Sequence, residues 1–418
     1  MSQPSSTDQQ ASPSPGRRTL CLPFESEEHY ERCLEDIHTC RQHLESLHQR
    51  HSELFPQGFE LGFIFKGTYH SKKLDIALRR IRTCTGTYQI RPSFLMPYMV
   101  GRTDEVEKGL YLRQWAVPFD ALARIFGRNP MFWFRVSMAM GRPSIVGSTV
   151  KSKGRLPAHL VADEKHTRLE GERVYVPTTV AGGCLLGAAV VSSASAEDLE
   201  KGYGEFAAEA KELDSRYSPE TVCADGWEAT WRAWRKLFPA ITVLLCYLHS
   251  AIKIRDCRTD DEALRFDTLT RVWDAFKAET KACFSQRIRR LREWAKAHLL
   301  QGKVREAVLK LCDKRALFAV AYDFIKPSRT SNGVDRLMNH QDRLLYAMRY
   351  FHGNKESARL SVRAMAMTWN FHPYGARLRR ADGERLSPFA DLNGFEYHRN
   401  WLHNFLIASS LGGHRASV

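Results

Sequence analysis

The stretch that decides the fold is residues 221–249, TVCADGWEATWRAWRKLFPAITVLLCYLH. Residues 221–225 form a short apolar run that ends in Asp225 and predicts a strand. Residues 228–238 have the apolar spacing of a helix, and residues 241–246 predict a second strand. A strand, a helix and a strand in this order form a parallel pair joined by a crossover helix, so the stretch predicts an α/β domain.

The same sheet extends upstream of this stretch. Residues 159–163 predict a strand that ends in Asp163, residues 173–180 and 184–191 predict two more strands, and residues 196–213 predict a helix. The resulting order is βββαβαβ, assigned to residues 155–255. It predicts a mixed five-stranded sheet with three antiparallel strands followed by two parallel ones.

Downstream of the sheet the pattern becomes helical. Residues 256–326 carry apolar side chains at helical spacing with basic side chains outside them, and predict an all-α insertion into the α/β core. The sequence around Asn332 then has the character of a helix start and predicts a last core helix within residues 327–352. Residues 353–418 follow as a C-terminal tail region whose role the sequence does not indicate.

The composition favours a reduced, basic protein with a polyanionic partner. The 418 residues include 62 Lys and Arg against 47 Asp and Glu, a net charge of +15, which favours nucleic acid but also fits a merely basic protein. The ten cysteines show no CxxC spacing, as is typical of reduced thiols. No apolar run is long enough to span a membrane and no secretion signal is evident, so we expect a cytoplasmic, nucleoid-associated protein without a membrane partner.

The N-terminal third predicts a DNA-binding region. Residues 1–20 are expected to be a disordered tail and residues 21–105 to be mainly helical. Within residues 106–150, helices at 117–126 and 131–140 flank a turn at Gly127, which is the spacing of a helix-turn-helix. This arrangement would present Arg128 and Arg135 to DNA. An αα-hairpin packed within a larger core is the alternative, because the second helix is very apolar.

Three carboxylates are candidates for the chemistry. Asp163 and Asp225 each close a predicted strand, so they meet if those strands are neighbours. A third acid from a later helix would complete a two-metal site, and Asp335 is the first choice, with Asp342 in reserve. Helix caps or turns for the two strand-end acids, and a solvated helix face for Asp335, are the simpler alternatives.

Four more residues are predicted to support this site. Asn332 and Arg336 share the polar stripe of Asp335 on the last core helix. Cys246 and His249 follow the last strand, where a lone CxxH is a weak zinc motif and a buried Cys with a hydrogen-bonded His is the favoured interpretation.

The residues together resemble a known family, the bacterial insertion-sequence transposases related to the Mutator group, whose catalytic domain has an RNase H-like fold. The resemblance covers residues 158–351 and rests on four motifs in the family's order: Asp225-Gly226, Phe238-Pro239, Cys246-Tyr-Leu-His249 and Asn332-Gly-Val-Asp335-Arg336. Weaker likeness at residues 84–98 is to the end of a zinc ribbon whose other cysteines are missing here, so no zinc is expected. The family's third acid is usually Glu, whereas this chain has Asp335.

The resemblance implies a DDE-type DNA transposase with an α/β RNase H-like core. Asp163, Asp225 and Asp335 would be catalytic and would hold two Mg²⁺ or Mn²⁺ ions. The partners would be double-stranded DNA, at the element ends and at the target, and further copies of the chain on that DNA. Phosphate contacts are expected from the arginines of the insertion (Arg287, Arg289, Arg290 and Arg292) and from the C-terminal arginines (Arg377, Arg379 and Arg380). A nuclease without strand transfer and a catalytically inactive DNA-binding protein remain alternatives.

Overall fold

A computed structural model of the chain describes residues 15–99, 101–257, 261–376 and 386–414. These residues form a mixed α/β protein with two mixed sheets, one of four strands and one of five. Within the described ranges, no helix combines the length and the apolar character that crossing a membrane requires.

The four-stranded sheet occupies the region that was predicted to be a tail and a helical segment. Its elements are β1 (Thr19–Leu22), α1 (Glu27–Glu35), α2 (Ile37–Arg50), β2 (Ile64–Ser71), β3 (Ile76–Thr83) and β4 (Gly86–Pro92), in the strand order β1-β4-β3-β2. Strand β1 runs parallel to β4, and the other pairs are antiparallel. The predictions for residues 15–20 and for a mainly helical 21–105 are therefore wrong, although the helices at 27–50 are present. The sequence signal that was missed is Gly86, which follows the tight turn between β3 and β4. Its φ is +142°, a value that favours glycine.

The two helices of the predicted helix-turn-helix are present as α4 (Phe119–Phe126) and α5 (Pro130–Ala139). They are flanked by α3 (Thr103–Arg113) and α6 (Ile145–Thr149). Gly127 ends α4 with a φ of +73°, and Asn129 caps α5 by accepting the Phe132 N–H at 2.7 Å. Trp133 is 1% exposed in the principal core, whereas Arg135 faces solvent. The pair is thus packed into a larger core on one face and open on the other.

The five-stranded sheet has the predicted connectivity. Its elements are β5 (His159–Leu169), β6 (Glu172–Ala181), β7 (Cys184–Ala188), α7 (Ala196–Leu213), β8 (Thr221–Ala224), α8 (Glu228–Leu237) and β9 (Thr242–Leu245), in the strand order β7-β6-β5-β8-β9. Strands β5, β6 and β7 are antiparallel, and β8 runs parallel to both β5 and β9. The prediction of a mixed five-stranded sheet is confirmed.

One detail of this sheet differs from the prediction. Strand β5 does not end at Asp163 but continues to Leu169, because it pairs with β6 from Val161 to Leu169. Its pairing with β8, however, stops at Val161, opposite Cys223. Asp163 therefore lies at the point where its parallel neighbour ends.

The rest of the described chain is helical. The helices are α9 (Tyr247–Arg255), α10 (Glu262–Phe276), α11 (Lys281–His298), α12 (Lys303–Asp313), α13 (Arg315–Ala319), α14 (Asn332–Ala347), α15 (Lys355–Phe371) and two C-terminal helices at Pro388–Asn393 and Trp401–Ala408. Helices α10 to α13 share an apolar cluster with α9 and with Leu245 at the end of β9. The C-terminal helices are not a loose tail, because Leu402 and Phe405 are at most 1% exposed. The short 3-10 segment Ser410–Gly413 that follows them contacts the first sheet, since the Cys21 N–H donates to Ser410 Oγ at 3.2 Å.

Candidate active site

Two of the three predicted acids lie side by side at one edge of the five-stranded sheet. Val161 of β5 pairs with Cys223 of β8. Asp163 lies two residues after Val161, and Asp225 lies two residues after Cys223. The Glu164 N–H donates to Asp163 Oδ1 at 2.8 Å, and the Trp227 N–H donates to Asp225 Oδ1 at 2.9 Å. Each carboxylate is therefore oriented by one backbone donor and keeps its other oxygen free of these bonds.

The third predicted acid reaches the same edge from helix α14. Asp335 lies in the first turn of that helix, half-buried. Burial raises the pKa of Asp335, and the charge of His249 beside it acts in the opposite direction. The pKa of Asp163 is raised to about 6, first by burial and then by the charges of Asp225 and Asp335. All three aspartates are thus close enough to interact electrostatically.

The start of α14 is held in place by the end of strand β9. Cys246 directly follows β9 and is fully buried. The Ser331 N–H donates to Cys246 Sγ at 3.2 Å, and the Cys246 thiol lies 3.4 Å from Ser331 Oγ. Arg329 contributes as well, because its carbonyl accepts the Tyr247 N–H at 3.1 Å. The segment before Asp335 is therefore joined to the sheet over a sequence distance of 85 residues.

Cys246 also belongs to a small polar group beneath the acids. Hydrogen bonds from Cys223, His249 and Ser331 lower the pKa of the Cys246 thiol. The hydrogen bond to Cys246 in turn raises the pKa of His249 to about 9, so the imidazole is cationic at neutral pH. Its Nδ1 is buried without a hydrogen-bond partner. His249 thus supplies positive charge next to three carboxylates.

A fourth carboxylate, which the sequence analysis did not select, lies behind the site. Glu164 is 8% exposed and points to the opposite face of β5 from Asp163. It accepts hydrogen bonds from the hydroxyls of Tyr203 at 2.7 Å and Thr230 at 2.5 Å. Burial raises the pKa of Glu164 to about 7. The sequence signal for Glu164 was its position next to Asp163, because successive side chains of a strand point to opposite faces of the sheet.

The other residues predicted at this site lie at its margin. Asn332 and Arg336 are exposed on the first two turns of α14. Asp342, the reserve candidate, forms an ion pair with Lys165 of β5 instead of joining the aspartates. The helix therefore presents one carboxylate to the site and a second to the sheet surface.

The described arginines that were predicted to contact DNA belong to two parts of the chain, the helix-turn-helix and the insertion. In the helix-turn-helix, Arg128 pairs loosely with Glu105 at 3.6 Å and Arg135 is exposed. In the insertion, Arg289 and Arg292 pair with Glu293 and Asp313, and Arg287 donates to the Asp274 carbonyl. Arg290 is exposed and forms no ion pair with a described residue. Arg377, Arg379 and Arg380 lie outside the described residues.

The chemistry of the donor set fits a divalent cation. The three aspartates outnumber the cationic His249 beside them, and carboxylate oxygens are the ligands that hard ions such as Mg²⁺ prefer. Over the described parts of the chain, no group of three or more His, Cys, Asp or Glu side chains is already arranged around a common metal position. The aspartate side chains would have to rotate toward one another to share an ion, which their free oxygens permit.

No family model matches the chain, and no curated protein matches it at a significant level.

Proposed function

We propose that the chain is a DNA transposase with an RNase H-like catalytic core, which cuts and joins DNA strands with Asp163, Asp225 and Asp335. The proposal is supported by the placement of Asp163 and Asp225 beyond paired positions of β5 and β8 and by the electrostatic influence of Asp335 on Asp163, although these residues are 62 and 110 positions apart in sequence. Structural aspartates gathered without a cationic partner for each would destabilise the fold, so their accumulation favours a functional role.

The sheet supports the RNase H-like assignment. Its first strand in sequence, β5, lies at the centre between the antiparallel pair β6 and β7 and the parallel pair β8 and β9. Functional residues of such α/β sheets gather beyond the carboxyl ends of adjacent parallel strands. Asp225 satisfies this rule directly, and Asp163 satisfies it relative to β8.

The reaction would consist of two phosphoryl transfers. In the first, a water oxygen forms a bond to phosphorus while the P–O3′ bond breaks, which leaves a free 3′ hydroxyl. In the second, that hydroxyl attacks a phosphodiester of the target, and the target's own P–O3′ bond breaks. Two Mg²⁺ ions, when bound by the aspartates, would supply Lewis acidity and charge neutralisation. The number of phosphodiester bonds is conserved in the second step, so no external energy source is required.

The protein residues would position these steps. The backbone donors at Glu164 and Trp227 fix one oxygen of Asp163 and of Asp225, and the other oxygen of each would be available to a metal ion. The Cys246–Ser331 contact sets the distance of Asp335 from the sheet. The cationic His249 limits the repulsion among the three carboxylates before the ions bind. DNA would be held at the exposed Arg135 and Arg290.

The decisive experiment uses DNA from the ends of the element that carries the gene. Purified protein is incubated with this DNA and Mg²⁺, and nicked and joined products are separated on a denaturing gel. Asp225→Asn should abolish both products while the affinity for the same DNA changes by less than about tenfold, or 1.4 kcal/mol. Asp342→Asn is the matched control on the same helix as Asp335, and it should retain both products because its carboxylate pairs with Lys165.

The outcomes separate the alternatives. Nicking without joined product would favour a nuclease over a transposase. Equal cleavage by Asp225→Asn and the wild type would remove that residue from the mechanism and, with it, the proposal. DNA binding with no cleavage by any form would indicate an inactive DNA-binding protein.

A further inference from the structure

A large cavity lies away from the aspartates, at the junction of the first sheet and the C-terminal segment. It has a volume of about 880 Å³, within the range of about 300 to 1,000 Å³ for ligand sites. It is bounded by the β2–β3 turn, by strand β4, by the chain just after α5 and by the last described residues. We call it the basic cleft, after its charged lining: Arg17, Lys72, Lys73, Arg91 and Arg142.

The charge of the basic cleft is almost uncompensated. Among the residues that the structure describes, no Asp or Glu lines it. Arg17 pairs with Glu212 at 3.2 Å, and Glu212 also contacts His414, while the lining residue His70 contacts Asp75 at 2.9 Å. Among the described residues, the two turn lysines and Arg142 form no ion pair with a carboxylate. Cations gathered in a concave site without counter-charge attract a polyanion.

Arg91 gives this charge a fixed, buried component. It is 6% exposed, and its Nη1 donates to the Leu95 carbonyl at 3.0 Å. Its Nε is buried without a hydrogen-bond partner. The bond to Leu95 fixes the position of a guanidinium charge in the wall of the cleft.

Two aromatic side chains stand at the cleft with their rings half-exposed. Tyr69 and Tyr98 are each 52% exposed, although large aromatic residues are usually more buried. Tyr98 adopts a φ of +62°, which is rare for a bulky residue. The Arg142 guanidinium lies 4.8 Å above its ring and donates to its hydroxyl at 3.1 Å. The strained backbone and the stacked arginine together hold this ring at the cleft.

We propose that the basic cleft binds a single-stranded segment of DNA, with phosphates on the lysines and arginines and bases stacked on Tyr69 and Tyr98. Cations interleaved with aromatic rings are the chemistry by which proteins hold unpaired strands, because each base offers a stacking face that a duplex hides. The cleft adjoins the chain directly after α5, so a strand end separated from a duplex on the helix-turn-helix could enter it. This inference deepens the proposed function but is measured without catalysis.

The test is fluorescence anisotropy with the full chain in Asp163→Asn background and without divalent ions. The probes are a labelled ten-nucleotide single strand of mixed sequence and its duplex. Lys72→Glu/Lys73→Glu should weaken single-strand binding by about tenfold or more, and duplex binding by less than about threefold. Lys303→Glu/Lys310→Glu, at exposed positions of α12, changes the charge equally and should alter single-strand binding by less than about twofold.

The aromatic contribution is tested separately. Tyr69→Ala and Tyr98→Asn should each weaken single-strand binding by about fivefold or more, which corresponds to the loss of about 1 kcal/mol of stacking. Asparagine at position 98 tolerates a positive φ, so this variant should remain folded, as circular dichroism and thermal melting would check.

Three results would overturn the inference. The first is that the lysine and tyrosine variants bind the single strand as tightly as the parent protein. The second is that the variants lose equal affinity for the single strand and for the duplex. The third is that micromolar ATP displaces the probe, which would assign the cleft to a free nucleotide. If the cleft binds the single strand as expected but the element-end assay shows no cleavage, only the proposed function is rejected.

Discussion

Replacing Asp163 by asparagine should stabilise the protein while it removes the proposed activity. The pKa of Asp163 rises from 3.8 to about 6 in the folded chain. A difference of one in pKa corresponds to about 1.4 kcal/mol, so the ionised carboxylate costs about 3 kcal/mol of folding free energy, or about 2 kcal/mol once its partial exposure is considered. Asparagine keeps the Oδ1 acceptor for the Glu164 N–H and has no charge. We therefore expect Asp163→Asn to be about 2 kcal/mol more stable than the wild type at pH 8.

The sign of this effect depends on pH in a defined way. Because the folded pKa is above the unfolded one, the folded chain binds the proton more tightly between pH 3.8 and about 6. The wild type therefore loses stability as the pH rises through this window, and the loss is complete above it. Below pH 3.8 both states are protonated, so the advantage of the asparagine variant should disappear.

The assay is urea unfolding in the presence of EDTA at pH 8 and at pH 4, monitored by circular dichroism. Adding 10 mM Mg²⁺ at pH 8 should narrow the difference, because an ion that binds the folded wild type stabilises it. Asp342→Asn serves as the control and should show no such gain, since it breaks an ion pair. An asparagine variant that is less stable than the wild type at pH 8, or a gain that persists at pH 4, would refute the electrostatic reasoning.

The remaining predictions concern the residues behind and beside the site. The buried carboxyl of Glu164 should make the wild type lose stability as the pH rises from 4.5 to about 7, and Glu164→Gln should remove that part of the loss. Urea unfolding across this pH range measures the effect, and an unchanged pH profile would contradict it. Gly109→Ala should destabilise the chain by about 1 to 3 kcal/mol in the same assay, because its new Cβ would lie 2.4 Å from the Trp133 ring; a neutral result would mean that α3 and α5 can separate freely. Arg135→Ala and Arg290→Ala should each weaken duplex binding across unrelated sequences and lower the slope of log affinity against log salt by about one, and an unchanged slope would remove that arginine from the DNA surface.

Local patterns were sufficient for the five-stranded sheet. The apolar runs that end in Asp163 and Asp225 and the helix between residues 228 and 238 could be assigned because strand and helix periods differ clearly over such lengths. The same reasoning failed for residues 19–92. There β2 carries mostly exposed residues, so it has almost no buried face and no apolar alternation to detect.

What the sequence determined by itself was the order of elements from β5 to α14, and it supplied Asp163, Asp225 and Asp335 as candidates, since these follow from residue type, spacing and turn chemistry. Only the tertiary structure decided that Asp163 lies within a long strand, that Glu164 is buried behind it, and that the C-terminal segment encloses a basic cleft with the first sheet. The physical reason is that pairing register, burial and cavity walls are made by residues up to 389 positions apart, and no local periodicity encodes such contacts.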